Sequence, residues 1–165
     1  MFRNFHDILK LMKLSEPQVQ FVERVGRFWE GVAMGRSAGR ILGWLMICEP
    51  VHQSAADLVS TLGMSTGSVS TQIRQLQRMG LVERLTFPGD RASYYQLPES
   101  VWSKSMNTEF ERLADMRALA ASAVEVLPTE RPERVSELAL VAEFFAEEWQ
   151  GLTERLAERL AKVEA

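Results

Sequence analysis

Between Ser54 and Leu97 the chain carries a series of start and stop signals whose order leaves few folds open. Ser54 is placed to cap a short helix over 55–62, with Ala55, Leu58, Val59 and Leu62 on its inward face. Gly63 supplies a turn. Ser65 caps a second helix running to about Met79, with Val69, Ile73 and Leu76 inward, and Gly80 closes it. Leu81 to Phe87 and Ser93 to Leu97 read as two strands about the turn Pro88-Gly89-Asp90. The predicted order is helix, tight turn, helix, hairpin.

That is the order of a winged helix-turn-helix, and long helical segments flank it. Glu16 to Val32 reads as a helix with Pro17 in its first turn and an apolar stripe of Phe21, Val25, Phe28 and Val32. Ser37 to Cys48 reads as a second helix, ended by Glu49-Pro50. Ala38, Ile41, Leu42, Leu45 and Met46 make it apolar over so much of its surface that it is expected to lie centrally. Residues 1–14 read equally as a short leading helix or an arm. After Pro98-Glu99-Ser100 comes a seam of Met106, Phe110, Leu113, Ala120, Val124 and Leu127, interrupted only by Arg117. Pro128 and Pro132 bound a link, and a last helix over Pro132 to Lys162 carries Leu138, Ala142, Phe145, Trp149, Leu152 and Leu156. Such seams predict packing on other helices, in this chain or in a second copy. The expected class is mainly α with a small β-hairpin wing (α+β). Its expected parts are an N-terminal helix or arm over 1–35 that contributes to dimerisation, a winged helix-turn-helix over 36–100, and a C-terminal helical dimerisation region over 101–165.

A net charge of −3 argues at first against a nucleic-acid partner. The distribution reverses that reading. Residues 1–35 carry +1, residues 36–95 carry +2 with arginine as their only basic residue, and residues 96–165 carry −6. Arginine's planar fork of donors suits phosphates and base edges, whereas the acidic last third would be repelled by a duplex. A single cysteine, Cys48, rules out an internal disulfide and a zinc-finger site. Neither a metal nor a cofactor is expected, and the two histidines, His6 and His52, read as ordinary surface or packed residues. No nucleophile with a base, carboxylate pair or phosphate loop stands out, and Gly31-Val32-Ala33-Met34-Gly35 lacks the lysine and preceding strand of such a loop. An enzyme is therefore not expected. No apolar run is long enough to cross a membrane, and the expected location is the cytoplasm of a bacterial or archaeal cell.

The second helix of the central block carries the chemistry. From Ser65 to Arg78 it contains no acid. Opposite Val69, Ile73 and Leu76 it presents Gly67, Thr71, Arg74, Gln75 and Arg78, with Ser65, Thr66 and Ser68 at its start. Small residues let a backbone approach closely. Hydroxyls and free N–H groups at a helix start bind phosphate or base edges, and Gln and Arg have the forked geometry that reads adenine and guanine. A winged helix serving a protein partner instead would need acids or large apolar residues on this face, which the sequence lacks. Arg91 at the hairpin tip is placed to reach a neighbouring minor groove. Arg36, Arg40, Ser54 and Arg78 are candidate phosphate contacts. Phe28, Trp29, Met34, Trp44 and Phe110 are candidates for the wall of a pocket taking a small apolar or aromatic effector. Cys48, with no basic neighbour in sequence, reads as a buried inert thiol.

Residues 36–102 resemble the winged-helix regulators of the MarR superfamily, and more closely its GbsR-like branch. The matching words are Gly39-Arg40-Ile41-Leu42-Gly43-Trp44-Leu45, Met64-Ser65-Thr66-Gly67-Ser68-Val69-Ser70, Gly80-Leu81-Val82-Glu83-Arg84, and Pro88-Gly89-Asp90-Arg91 with Tyr94-Tyr95 and Trp102. The resemblance implies a homodimeric regulator of transcription, commonly a repressor, on a pseudo-palindromic duplex operator, with a small-molecule effector changing its affinity. It implies that Ser65, Thr66, Ser68, Thr71 and Arg74 face DNA and that Arg91 sits in the wing. Ala92-Ser93 departs from the charged pair expected beside that arginine.

Overall fold

The computed structural model describes residues 14–32, 34–126 and 133–162. Its elements are α1 (Glu16–Gly31), α2 (Arg36–Leu45), β1 (Gln53–Ser54), α3 (Ala55–Leu62), α4 (Thr66–Arg78), β2 (Glu83–Leu85), β3 (Tyr94–Gln96), α5 (Val101–Val126) and α6 (Glu133–Ala161). They fall into two units that meet in sequence at Val101–Trp102. The predicted class holds: helices with one small antiparallel sheet. Residues 1–13, expected as a helix or arm, and the proline-bounded link over 127–132 lie outside the described residues.

In the first unit α2 is central, as its composition predicts. Ala38, Gly39, Ile41, Leu42, Gly43, Trp44 and Leu45 are all buried. The helix is shorter than expected. It ends at Leu45 rather than Cys48, and Met46, one of its apolar residues by sequence, stands at the cap in an exposed position. Around α2 one continuous core gathers Val19 and Val22 of α1, Leu58 and Leu62 of α3, Val69, Ile73 and Leu76 of α4, then Leu81, Val82 and Val101.

The packing of α1 on α2 corrects the expected stripe. The buried face of α1 is Val19, Val22 and Gly26, with Val25 and Trp29 packed beside them. Phe28 is 64% exposed and Val32 55%. The cause is glycine. A Cβ on Gly39 would stand 2.9 Å from the Gly26 Cα and 3.0 Å from the Val25 carbonyl oxygen. The two backbones therefore touch, and the face that makes the contact carries little hydrophobic signal.

α3 and α4 start as predicted. The Ser54 hydroxyl accepts from the Asp57 N–H at 3.1 Å, and the Asp57 carboxylate accepts in return from the Ser54 N–H at 3.0 Å. Ser65 Oγ accepts from the Ser68 N–H at 3.2 Å. Between them Gly63 adopts the left-handed conformation (φ 61°) that only glycine takes at low cost.

The hairpin is shorter than its sequence suggests, three residues on each side, and gains a strand that no periodicity marks. The sheet order is β1-β3-β2, all antiparallel, with Gln53 opposite Tyr95 and Arg84 also opposite Tyr95 from the other edge. Gln53 is buried yet satisfied. Its amide oxygen accepts from the Trp44 indole N–H at 3.2 Å, and its amide nitrogen donates to the Pro50 and His52 carbonyls.

The second unit consists of α5 beyond its first residue and α6, helices of 26 and 29 residues. Val135, Ala120 and Ala142 are buried. Much of the predicted seam is not: Met106, Phe145, Leu152 and Leu156 are exposed, with Leu119, Leu140 and Phe144 beside them.

Candidate nucleic-acid interface

α4 has two faces with different tasks. Val69, Ile73 and Leu76 are buried in the core, so the helix is fixed in rotation. Thr66, Gly67, Ser70, Thr71, Arg74 and Arg78 are thereby turned to solvent, with Ser68, Gln75 and Gln77 half-buried at the margin. Ser65 is exposed too, but its hydroxyl is engaged as the cap. The backbone N–H groups of the first turn, at Thr66 and Gly67, remain the donors facing outward. A Cβ on Gly67 would meet nothing within 4 Å. Among the described residues nothing requires glycine at that position.

Further along, Thr71, Arg74, Gln77 and Arg78 line an open depression of about 630 Å³. Gln77 was not among the candidates read from the sequence. Its spacing of three from Arg74 is the signal that could have found it. The Arg74 Nε donates to the Ser70 carbonyl at 3.2 Å, which lays the guanidinium along the helix toward its start.

The wing is held by its own side chains. Asp90 accepts from the Ala92 N–H at 2.8 Å and from the Tyr94 hydroxyl at 2.6 Å, so it braces the turn. These hydrogen bonds, the tyrosine's first, hold the Asp90 carboxyl below the usual aspartate range, and the same bond raises the Tyr94 phenol. The rings of His52, Phe87 and Tyr94 pack mutually in tilted and edge-on contacts, with centroids 5.1 to 5.2 Å apart. Arg91 stands exposed at the tip. Arg84 on β2 is a further exposed cation, its Nε donating to Ser93 Oγ at 2.9 Å. That bond gives Ser93, where a charged residue was expected, a function within the hairpin.

Three of the candidate phosphate contacts have partners inside the protein. Ser54 is committed to the α3 cap. Arg36 is exposed but pairs with Glu23. Arg40 is the clearest correction. It is only 17% exposed, pairs with Glu23 and donates to the Leu62 carbonyl. Its partners lie 17 residues before it and 22 after it, beyond the reach of a local reading. Arg78 stays exposed on α4.

Of the residues named for an effector wall, Met34 and Trp44 are buried in the core and Trp29 packs against it, while Phe28 is exposed and meets Trp29 edge-to-face at 5.4 Å. Phe110 lies on α5, and its side chain falls outside the described residues. Cys48 is buried, and loss of solvation pushes its thiol up to about 11, so it stays protonated at neutral pH. Among the described residues no group of three or more metal-ligating side chains occurs, and no helix is long and apolar enough to cross a membrane.

A capped helix with an acid-free polar face, preceded by a tight helix-turn and followed by a braced hairpin with exposed arginines, defines a winged-helix DNA-binding protein. A family model described as MarR family matches residues 34–93. The HTH-type transcriptional regulator MmpR5 of Mycobacterium tuberculosis (strain ATCC 25618 / H37Rv) is 34% identical over 128 residues, covering 75% of this chain and 78% of that protein. A solved structure described as a transcriptional regulator superposes with a TM-score of 0.76 at 30% identity, covering 86% of this chain and 99% of the other. The chain belongs to the MarR family of winged-helix transcription regulators. Its relatives are regulators, not enzymes.

Proposed function

We propose that the protein is a homodimeric repressor that reads a pseudo-palindromic operator and whose affinity for it is modulated by a small apolar effector. The observation that carries DNA reading is the outward face of α4: no acid from Ser65 to Arg78, and a glycine, Gly67, that no internal contact demands. In this reading Thr66 and Gly67 meet the duplex at the helix start. Thr71, Arg74 and Gln75 read base edges, Arg78 takes phosphate, and Arg91 enters the minor groove beside it.

Dimerisation is supported by exposed apolar area on α5 and α6. Val126 is 82% exposed, Leu140 67% and Phe144 56%, more than an isolated helix pair leaves in water at no cost. The 1–35 segment contributes Phe28 and Val32 to the same purpose. Two copies would set their α4 helices about 34 Å apart, one turn of DNA. An effector acts only through a difference in affinity between the DNA-competent arrangement and another. Exposed Phe28, set edge-to-face on half-buried Trp29, supports an apolar one. Within the family, Gly39 to Leu45 and Met64 to Ser70 support a GbsR-like placement. The protein works in the cytoplasm.

The test is fluorescence anisotropy with duplex DNA from the protein's own upstream region and unrelated DNA as competitor. Binding that survives the competitor is expected. Binding no stronger than to the competitor would remove sequence reading.

A further inference from the structure

We propose that Arg40 and Glu23 are positioning residues for DNA binding: they tie the start of the recognition helix to α1 without touching DNA. The inference rests on α4 being the DNA-reading helix.

The tie has three parts. The Arg40 Nη2 donates to the Leu62 carbonyl oxygen at 2.8 Å. That carbonyl belongs to the last turn of α3, where it has no acceptor role within the helix. Three residues further on is Ser65, the cap of α4. The second part is the ion pair between the Arg40 Nε and Glu23 Oε1, also 2.8 Å apart, a charge contact without hydrogen-bond alignment that holds the guanidinium beside α1. The third is Gly26. A Cβ there would stand 2.9 Å from the Arg40 Cγ, so glycine is what lets the arginine stem cross α1. Glu23 also takes Arg36, so one carboxylate holds both cations. Arginine's fixed fork is suited to bridging a carboxylate and a carbonyl at once, and lysine's single ammonium is not.

Electrostatics gives the test its sign. Glu23→Gln removes a negative charge from a protein that binds a polyanion, so simple charge attraction predicts tighter binding. A positioning role predicts weaker binding. We expect Glu23→Gln and Arg40→Gln each to weaken binding to the upstream duplex on the order of tenfold. The double variant should be little worse than either, because the two act through one link. The slope of log affinity against log salt should match the wild type, whereas loss of a phosphate contact lowers it by about 1. Arg40→Lys, which keeps the charge and is the gentler variant for folding, should also bind more weakly. Equal or tighter binding by Glu23→Gln, a reduced salt slope in Arg40→Gln, or full binding by Arg40→Lys would each overturn the proposal.

Amide hydrogen exchange of the free protein separates this idea from the DNA reading. Both glutamine variants should speed exchange of the Gly63 and Met64 amides, which donate to the Val59 carbonyl, while the buried amides of α2 stay protected. Unchanged exchange at that turn would overturn the tie. If the wild type bound no duplex, the reading of α4 would fail, and exchange would still decide whether Arg40 holds the turn.

Discussion

Gly39 and Gly67 sit on helices of the same unit and do opposite things. At Gly39 a single added carbon would collide with the Gly26 backbone, the Trp29 Cβ and the Val25 carbonyl, all within 3.0 Å. At Gly67 the same carbon would enter open solvent. The first glycine is required by the protein's own packing. The second costs helix stability, and among the described residues no contact offsets that cost. A small residue with no internal reason to be small marks a surface shaped for something outside the molecule.

The largest effect should come from breaking the first region. Gly39→Ala is expected to destabilise the fold by about 1–3 kcal/mol, because the atoms it meets are backbone and Cβ atoms that cannot rotate away. Urea unfolding would measure this. Little change would mean that α1 and α2 can part without penalty. The second region should respond in the other currency. Thr71→Ala with Arg74→Ala should weaken DNA binding by roughly 10- to 100-fold and leave the unfolding midpoint almost unmoved. Intact binding in that pair would refute the assignment of the reading face. Gly67→Ala sharpens the contrast within one residue. We expect it to raise stability by up to about 1 kcal/mol while lowering DNA affinity several-fold, and a gain in both would mean that the duplex does not approach there.

The smallest expected effect lies in the wing and depends on pH. Because Asp90 is held below its ordinary value, near 4, its contribution to the turn is complete above about pH 4. It is lost as pH falls through the lowered value. The Tyr94 contribution runs the other way, present below the phenol's ordinary value and lost as pH climbs through its raised one. The Ala92 amide resonance should therefore hold constant from neutral pH down to about 4 and move only below it, and Asp90→Asn should abolish that movement. A transition centred above that range would show that the carboxylate is not braced as described.

The legible and illegible parts of this molecule divide along the same lines. α4 could be read from sequence because its cap, its apolar spacing and its closing glycine are all local. The inward face of α1 could not. Apolar spacing favours Phe21, Val25, Phe28 and Val32, but the contact is built on Gly26, which hydrophobicity does not count. β1 is two residues long, too short to show an alternation, and exists because β3 pairs with it. The early end of α2 at Leu45 carries no marker, since Pro50 bounds the segment without setting where the last turn closes. Among site residues, Gly67, Thr71, Arg74 and Arg78 on α4 follow from rotation alone, whereas the marginal places of Gln75 and Gln77 do not. The engagement of Arg40 needs three elements brought together, and no local pattern announces it.

The place of β3 between β1 and β2 bears on the thermodynamics of binding. A wing paired on one edge only would have to be quieted by the duplex, and its lost freedom would oppose association. Here the strand is hydrogen-bonded on both sides, and one of its partners runs directly into the cap of α3. In the proposed complex the hairpin would therefore meet DNA with most of its ordering already done during folding. Association should accordingly show the modest heat-capacity change of two preformed surfaces meeting, without the large negative value that accompanies coupled folding.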